Sequence, residues 1–270
     1  MSQRLGVLLS QPILTNMVST VEGLDDCPVF IDINDLRNFA NSSDVSHDYY
    51  LYLSEDGLSL RPFDKSKHGD IKVDFLRGKN NHRRLYSTSY RSDIARAFAI
   101  SSKNKPRILD CTAGFGSDAF SLASLGCEVK LIERNPLIYA LLYDGIQRMQ
   151  MAICSDEQLK KCINISCRYG DSICYLNQSS GDQSFFDAIY LDPMFPPKSK
   201  IAKSKKEMQA VQNIIDSEDD YDKLLSCALE SRVKRIVIKR PIKGSFLSGI
   251  SPSFSIKARS IRYDVFINNC

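Results

Sequence analysis

Histidine is scarce in this chain: three among 270 residues, His47, His68 and His82. No two of the nine cysteines form a Cys-x-x-Cys pair, so the usual spacing of a zinc site is missing. An odd cysteine count, with several in apolar stretches, points to buried free thiols in a reducing compartment rather than a disulfide framework. Nothing approaches the ~18 consecutive apolar residues of a membrane helix. Residues Met1 to Thr20 carry one basic side chain among scattered polar ones and do not read as a secretory signal. Internal repeats are absent, and low complexity is confined to one lysine-rich loop. A soluble, cytoplasmic protein without a metal or a membrane partner is therefore expected. Enough is present for a core: 43% hydrophobic residues with 25% charged excludes overall disorder and allows one large domain or a core with an appendage.

The net charge of +4 is mild, but its distribution is uneven. Residues 1–60 hold two basic and nine acidic side chains, whereas 61–107 hold thirteen basic and four acidic. Such segregation suggests a polyanion-facing surface, with an ordinary solvated face as the plainer alternative.

From about residue 106 strands and helices alternate. The apolar runs Arg107–Cys111, Glu128–Glu133, Ile163–Cys167, Asp187–Asp192 and Arg235–Lys239 read as five parallel strands. Helices are expected at 118–125, from Pro136 to about 150, near 205–215 and at 220–231. Pro136 suits a first helical turn, where its missing N–H costs nothing. Phe254–Lys257 and Arg262–Ile267 alternate with period two and read as a closing antiparallel pair. The expected fold class is α/β: a Rossmann-like, mostly parallel seven-stranded sheet over 106–270. It is preceded at 1–105 by a small α+β extension with strands near 5–9, 29–33, 58–60 and 71–75 and a helix at 92–100.

Ligands of an open parallel sheet bind at the carboxyl ends of its strands. After the first strand comes Asp110-Cys111-Thr112-Ala113-Gly114-Phe115-Gly116-Ser117-Asp118, whose glycines let the backbone turn sharply against a ligand. Gly-x-Gly alone also fits a plain strand-to-helix turn. The third glycine of a dinucleotide fingerprint is missing, and carboxylates at Asp110 and Asp118 would repel a pyrophosphate at the helix start. They suit the ammonium and sulfonium of S-adenosyl-L-methionine (SAM). Asp118 also fits an ordinary first-turn helix residue. Glu133 ends the second strand nineteen residues after Gly114, close to the interval of a ribose-gripping acid. Asp171 and Ser172 follow the third strand, where adenine would lie. Four acidic strand ends in succession, at 110, 133, 171 and 192, are hard to ascribe to chance.

Asp192-Pro193-Met194-Phe195-Pro196-Pro197 ends the fourth strand and is similar to the Asp/Asn-Pro-Pro-aromatic motif of enzymes that methylate planar amino nitrogens. The Asp192 carboxylate and Pro193 carbonyl can accept hydrogen bonds from an exocyclic amine, while Phe195 stacks on the base for roughly 1–3 kcal/mol. Alignment then carries much of the rate without a strong base. The plainer alternative is a rigid proline loop. Directly downstream, Lys198, Lys200, Lys203, Lys205 and Lys206 place five lysines in nine residues, suited to RNA phosphates. Lys239 and Arg240 at the fifth strand end, with His82, Arg83 and Arg84 upstream, extend this expected RNA contact.

Together with Lys67-His68-Gly69, Val73-Asp74-Phe75, Glu133-Arg134-Asn135-Pro136, Lys205-Lys206-Glu207-Met208 and Val237-x-Lys239-Arg240-Pro241, these motifs resemble the RsmJ family of bacterial 16S rRNA guanine-N2 methyltransferases over residues 58–267. The resemblance implies SAM contacts at Ser117, Asp118, Glu133, Arg134, Asp171, Ser172 and Asp192, beside those read above at Asp110, Ala113, Gly114 and Gly116. It implies 16S rRNA, in the small ribosomal subunit, as the partner, with no DNA expected. Two other classes remain open at this point: an amine methyltransferase acting on a small molecule or protein, and a silent RNA-binding assembly protein.

Overall fold

The computed structural model describes residues 6–11, 21–22, 24, 27–42, 48–64, 69–77, 89–154, 163–178, 185–193 and 220–268. Strands β5 (Arg107–Asp110), β6 (Glu128–Glu133), β7 (Asn164–Tyr169), β8 (Ala188–Leu191), β9 (Arg235–Pro241), β10 (Phe254–Lys257) and β11 (Ile261–Ile267) form one sheet in the order β10-β11-β9-β8-β5-β6-β7. Strands β5 to β9 pair in parallel, whereas β11 returns antiparallel to β9 and β10 to β11. Ile108, Leu109, Ile189, Leu191, Ile236 and Val237 are each 0% exposed, because helices cover both faces of a parallel sheet. Strand order reverses between β5 and β8, and Asp110 and Asp192 end those two neighbours.

Local chemistry sets the helices α2 (Asp93–Ala97), α3 (Ser117–Ser124), α4 (Pro136–Cys154), α5 (Ser172–Gln178) and α6 (Tyr221–Glu230). Asn135 starts α4: its Oδ1 accepts from the amides of Leu137 (3.0 Å) and Ile138 (3.2 Å), with Pro136 in the first turn. Ser92 caps α2 through the amide of Ala95, and Asp171 receives the amide of Cys174 at the start of α5. Leu137, Ile138, Leu141 and Leu142 of α4 are buried, each contributing roughly 1.5–3 kcal/mol.

A second sheet of four strands, β1 (Val7–Leu9), β2 (Val29–Phe30), β3 (Tyr49–Ser54) and β4 (Gly57–Pro62), has the order β2-β1-β3-β4. Helix α1 (Ile33–Ser42) packs on its β1–β2 side, and α4 packs on β4 as well as on β7. One hydrophobic cluster runs through both sheets, from Val7, Leu51 and Leu60 through Val73 and Phe75 to Ile108, Phe120 and Val265. Gly145 of α4 lets the segment at Val73 approach: a Cβ there would lie 2.6 Å from Val73 Cγ1. Of the alternating Ile71, Val73 and Phe75, all are buried but only Ile71 pairs with β4, bridging Leu60. Beyond it Arg148 takes the Val73 carbonyl, and Asp74 Oδ1 accepts from the amides of Leu76 and Arg77, turning the chain out of the ladder.

Cys111 and Cys127 are buried as expected, but Cys154 and Cys174 are exposed; the seven described cysteines are unbridged. Among the described residues no helix is long and apolar enough to cross a membrane. The helix expected near 205–215 lies outside the described residues.

Candidate active site

Four carboxylates and one ammonium gather at the carboxyl ends of β5, β6, β8 and β9. Asp110 is 2% exposed, and its Oδ1 accepts from the amide (3.0 Å) and hydroxyl (3.4 Å) of Thr112. Burial, reinforced by the charges of Asp118, Asp192 and Glu133 and opposed by the Thr112 amide, lifts its pKa to about 8. Thr112 Oγ1 in turn receives the backbone amide of Asp192 at 2.6 Å. One threonine thus joins the end of β5 to the residue after β8.

The intervening turn is shaped by Gly114 and Gly116, with φ of 52° and 70°. A Cβ on Gly114 would meet nothing nearer than the Thr112 carbonyl at 4.0 Å, so that side of the turn lies open to a ligand. A Cβ on Gly116 would press on Leu142 at 2.8 Å and Phe75 at 3.2 Å. Glu133 spans the same turn: its Oε2 accepts from the Gly114 amide (2.9 Å) and its Oε1 from the Asn135 amide (2.8 Å). Burial raises its pKa, against the pull of those amides and of the Arg134 charge. Ala113 joins the second strand through its amide, which donates to the Ile132 carbonyl at 3.3 Å.

On the other side, Asp118 of α3 accepts at Oδ2 from the Tyr190 hydroxyl (2.8 Å) and from Lys239 Nζ (2.8 Å). The same Nζ donates to Asp192 Oδ2 at 2.7 Å. Burial alone would lower the Lys239 pKa, but the two carboxylates raise it well above the ordinary lysine range, so the cation persists. Asp192 keeps 37% of its side chain exposed, the rest being covered by the residues around it. Desolvation there raises its pKa; Lys239 opposes this and Asp118 adds to it. Tyr263, directly across the β9–β11 pair from Lys239, is 6% exposed.

These residues fit SAM. Strand-end acids suit its cations, Glu133 suits ribose hydroxyls, and the open backbone at Gly114 gives a surface to lie against.

Comparison with known proteins agrees. A model of SAM-dependent methyltransferases matches residues 35–268. The chain is 40% identical over 221 residues to ribosomal RNA small subunit methyltransferase J of Cellvibrio japonicus, covering 81% of this chain and 83% of that one. With the protein of the same name from Pseudoalteromonas translucida it shares 39% over 243 residues, 90% and 94% of the two chains. The crystal structure of a SAM-dependent methyltransferase from Neisseria gonorrhoeae superposes with a TM-score of 0.69 at 25% identity, covering 97% of this chain and 95% of that one. The chain belongs to the ribosomal RNA small subunit methyltransferase J family. As a member it is a SAM-dependent methyltransferase.

Within this J-family site some expected residues take different roles. Arg240 was expected to meet RNA phosphates, but it is 5% exposed and its Nε and Nη2 donate to the Ser245 carbonyl (3.2 and 2.7 Å). It falls on the face of β9 shared with Ile236 and Ile238, where it shapes the turn after the strand. Lys239, also expected at phosphates, is held by the two carboxylates of Asp118 and Asp192. The Ser172 hydroxyl donates to the Cys111 carbonyl at 2.8 Å, stitching α5 to the end of β5, so an adenine contact there would fall to its backbone. Asp171 spends one oxygen capping α5. Arg134 reaches Asp220, ahead of α6, at 2.6 Å. Ser117 opens α3, and its carbonyl accepts from Ser121 at 3.0 Å. Pro193 is buried beside Asp192. Phe195, Lys198, Lys200, Lys203, Lys205, Lys206, His82, Arg83 and Arg84 lie outside the described residues.

Thr112, Tyr190 and Tyr263 had no role in the sequence reading. Tyr190 carried a signal: it is the hydroxyl-bearing residue of an otherwise apolar strand, two positions before Asp192 and so on its face.

Proposed function

We propose that this methyltransferase moves the methyl group of SAM to the N2 amine of a guanine in small-subunit ribosomal RNA. The carrying observation is Asp192, whose backbone is fixed by Thr112 and whose carboxylate sits beside the cofactor turn. The curated relatives named for small-subunit rRNA support the substrate, and the guanine N2 position rests on the motif resemblance.

SAM supplies an electrophilic methyl on a sulfonium. A guanine amine is a weak nucleophile because its lone pair is delocalised into the ring. Asp192 and the Pro193 carbonyl accept the amine hydrogens, which favours a pyramidal nitrogen with its lone pair turned outward. As the N–C bond forms, the methyl's bond to sulfur breaks to leave a neutral thioether, and the proton shed by the methylated nitrogen passes by way of Asp192 to water. Phe195 stacks on the base, and proximity supplies most of the rate. The lysines from Lys198 to Lys206, with His82, Arg83 and Arg84, neutralise RNA phosphates. We place the protein in the cytoplasm, acting on 16S rRNA within the small subunit and not on DNA. The cofactor contacts fall on Asp110, Ala113, Gly114, Gly116, Ser117, Asp118, Glu133, Arg134, Asp171, Ser172 and Asp192.

The test is transfer of labelled methyl groups to small subunits, and to naked 16S rRNA, from cells lacking the enzyme, followed by mapping of the modified base. Label on the N2 of one guanine is expected. Turnover of a small amine with no label in rRNA would overturn the reading.

A further inference from the structure

The β9 lysine is in the wrong place for a phosphate contact and in the right place for something else. Lys239 Nζ lies 2.8 Å from Asp118 Oδ2 and 2.7 Å from Asp192 Oδ2, with 24% of its side chain exposed. Asp118 is itself held by the Tyr190 hydroxyl. A chain of hydrogen bonds therefore runs from β8 through α3 and β9 to the catalytic carboxylate. We propose that Lys239 is a positioning residue for methyl transfer: its one ammonium keeps the Asp192 carboxylate ionised and turned toward the base. The proposal rests on the amine-methylation reading above.

Asp192 is flanked by Asp110 on β5 and Asp118 on α3, with the phenols of Tyr190 on β8 and Tyr263 on β11 around them; Glu133 on β6 adds its charge next to Asp110. Asp93 of α2 adds another negative charge on the Tyr263 side. Lys239 places a positive charge in contact with two of these acids. Without it, the clustered carboxylates would share a proton. A protonated Asp192 is a weaker acceptor, and with its proton on the oxygen that meets the amine, O–H faces N–H and the pyramidal amine loses its support. Geometry matters equally. Thr112 fixes the Asp192 backbone and Lys239 takes Oδ2, which leaves Oδ1 to accept from the amine. The lysine gives up no proton in this role.

Single-turnover kinetics between pH 5 and 9 with Lys239→Met and Lys239→Arg test the assignment. Lys239→Met should lower the rate about 10²-fold, comparable with losing one preorganised donor. Its acid limb should move to higher pH by about 1–3 units, because an attractive charge has been removed from Asp192. KM for RNA and its salt dependence should stay as in the wild type. Lys239→Arg, which keeps the charge, should return the acid limb to its wild-type position. A Lys239→Met enzyme with raised KM for RNA, a flatter salt dependence and an unmoved acid limb would make Lys239 a phosphate contact and overturn the proposal. Titration of the Asp192 carboxyl carbon by NMR in Lys239→Gln tests the same role without RNA: a higher midpoint supports it and an unchanged one refutes it. A wild-type enzyme that labels no rRNA would defeat the substrate reading while leaving that titration to judge the lysine.

Discussion

The two halves of the large sheet hold their acids by different means. On the cofactor side, Asp110 and Glu133 are gripped mainly by main-chain amides, those of Thr112, Gly114 and Asn135. Toward β8 and β9, Asp118, which we also place among the SAM contacts, and Asp192 are gripped by side chains, Tyr190 and Lys239. Main-chain donors survive any substitution that spares the turn, so the cofactor half resists change by point mutation. Side-chain donors can be traded singly, so the half we assign to the substrate amine is the adjustable one. Thr112 belongs to both, since it bonds Asp110 on one side and the Asp192 amide on the other.

Substitutions can break this contrast. The largest effect belongs to Asp192→Ala, expected to lower the methyl-transfer rate about 10³-fold or more while calorimetry still finds SAM bound. Normal turnover would remove Asp192 from the mechanism. Next, Glu133→Ala should weaken SAM binding about 10- to 100-fold, since hydrogen bonds to a charged group contribute about 1.5–3 kcal/mol. Its effect on the rate at saturating SAM should be small; a reversed pattern would mean that the halves are not separable.

Asp110 gives a pH signature. Its folded pKa of about 8 stands above the ordinary 3.8, so the stability it contributes is complete below about pH 4 and is lost as pH rises toward 8. The melting temperature of the wild type should therefore fall between pH 5 and 8, and Asp110→Asn, which imitates the protonated acid, should fall less. Parallel melting curves would contradict the assignment. The smallest effect is expected for Tyr190→Phe, which removes one hydroxyl from Asp118. A bond to a charged group contributes about 1.5–3 kcal/mol, but Tyr190 touches Asp118 and not the reacting atoms, so only part of it reaches the rate: a loss of roughly 2- to 10-fold should appear, with the fold intact by circular dichroism.

Much of the fold was legible because its signals are local. Glu128–Glu133 is a strand with the residues expected, and Asn135-Pro136 announces α4. Strand β3, Tyr-Tyr-Leu-Tyr-Leu-Ser, escaped because most of its residues are buried and no period-two alternation shows. Helix α5 escaped because it is only seven residues long and its cap, Asp171, reads equally well as an adenine contact. In the site, the strand-end acids were readable from spacing alone. Their partners were not. Lys239 and Arg240 are neighbours in sequence, and only the register of β9 decides which meets Asp118 and Asp192 and which turns to the opposite face.

Phe75 belongs to the amino-terminal part of the chain, yet its ring lies 3.2 Å from where a Cβ on Gly116 would sit and 5.0 Å, centroid to centroid, from Phe120. The floor under the cofactor turn is thus supplied by the region that precedes the nucleotide-binding architecture. A graft that transplanted residues 106–270 alone onto another protein would carry away a turn with a hole beneath it. Shuffling of this enzyme, in nature or at the bench, has to move both sheets as a single heritable piece.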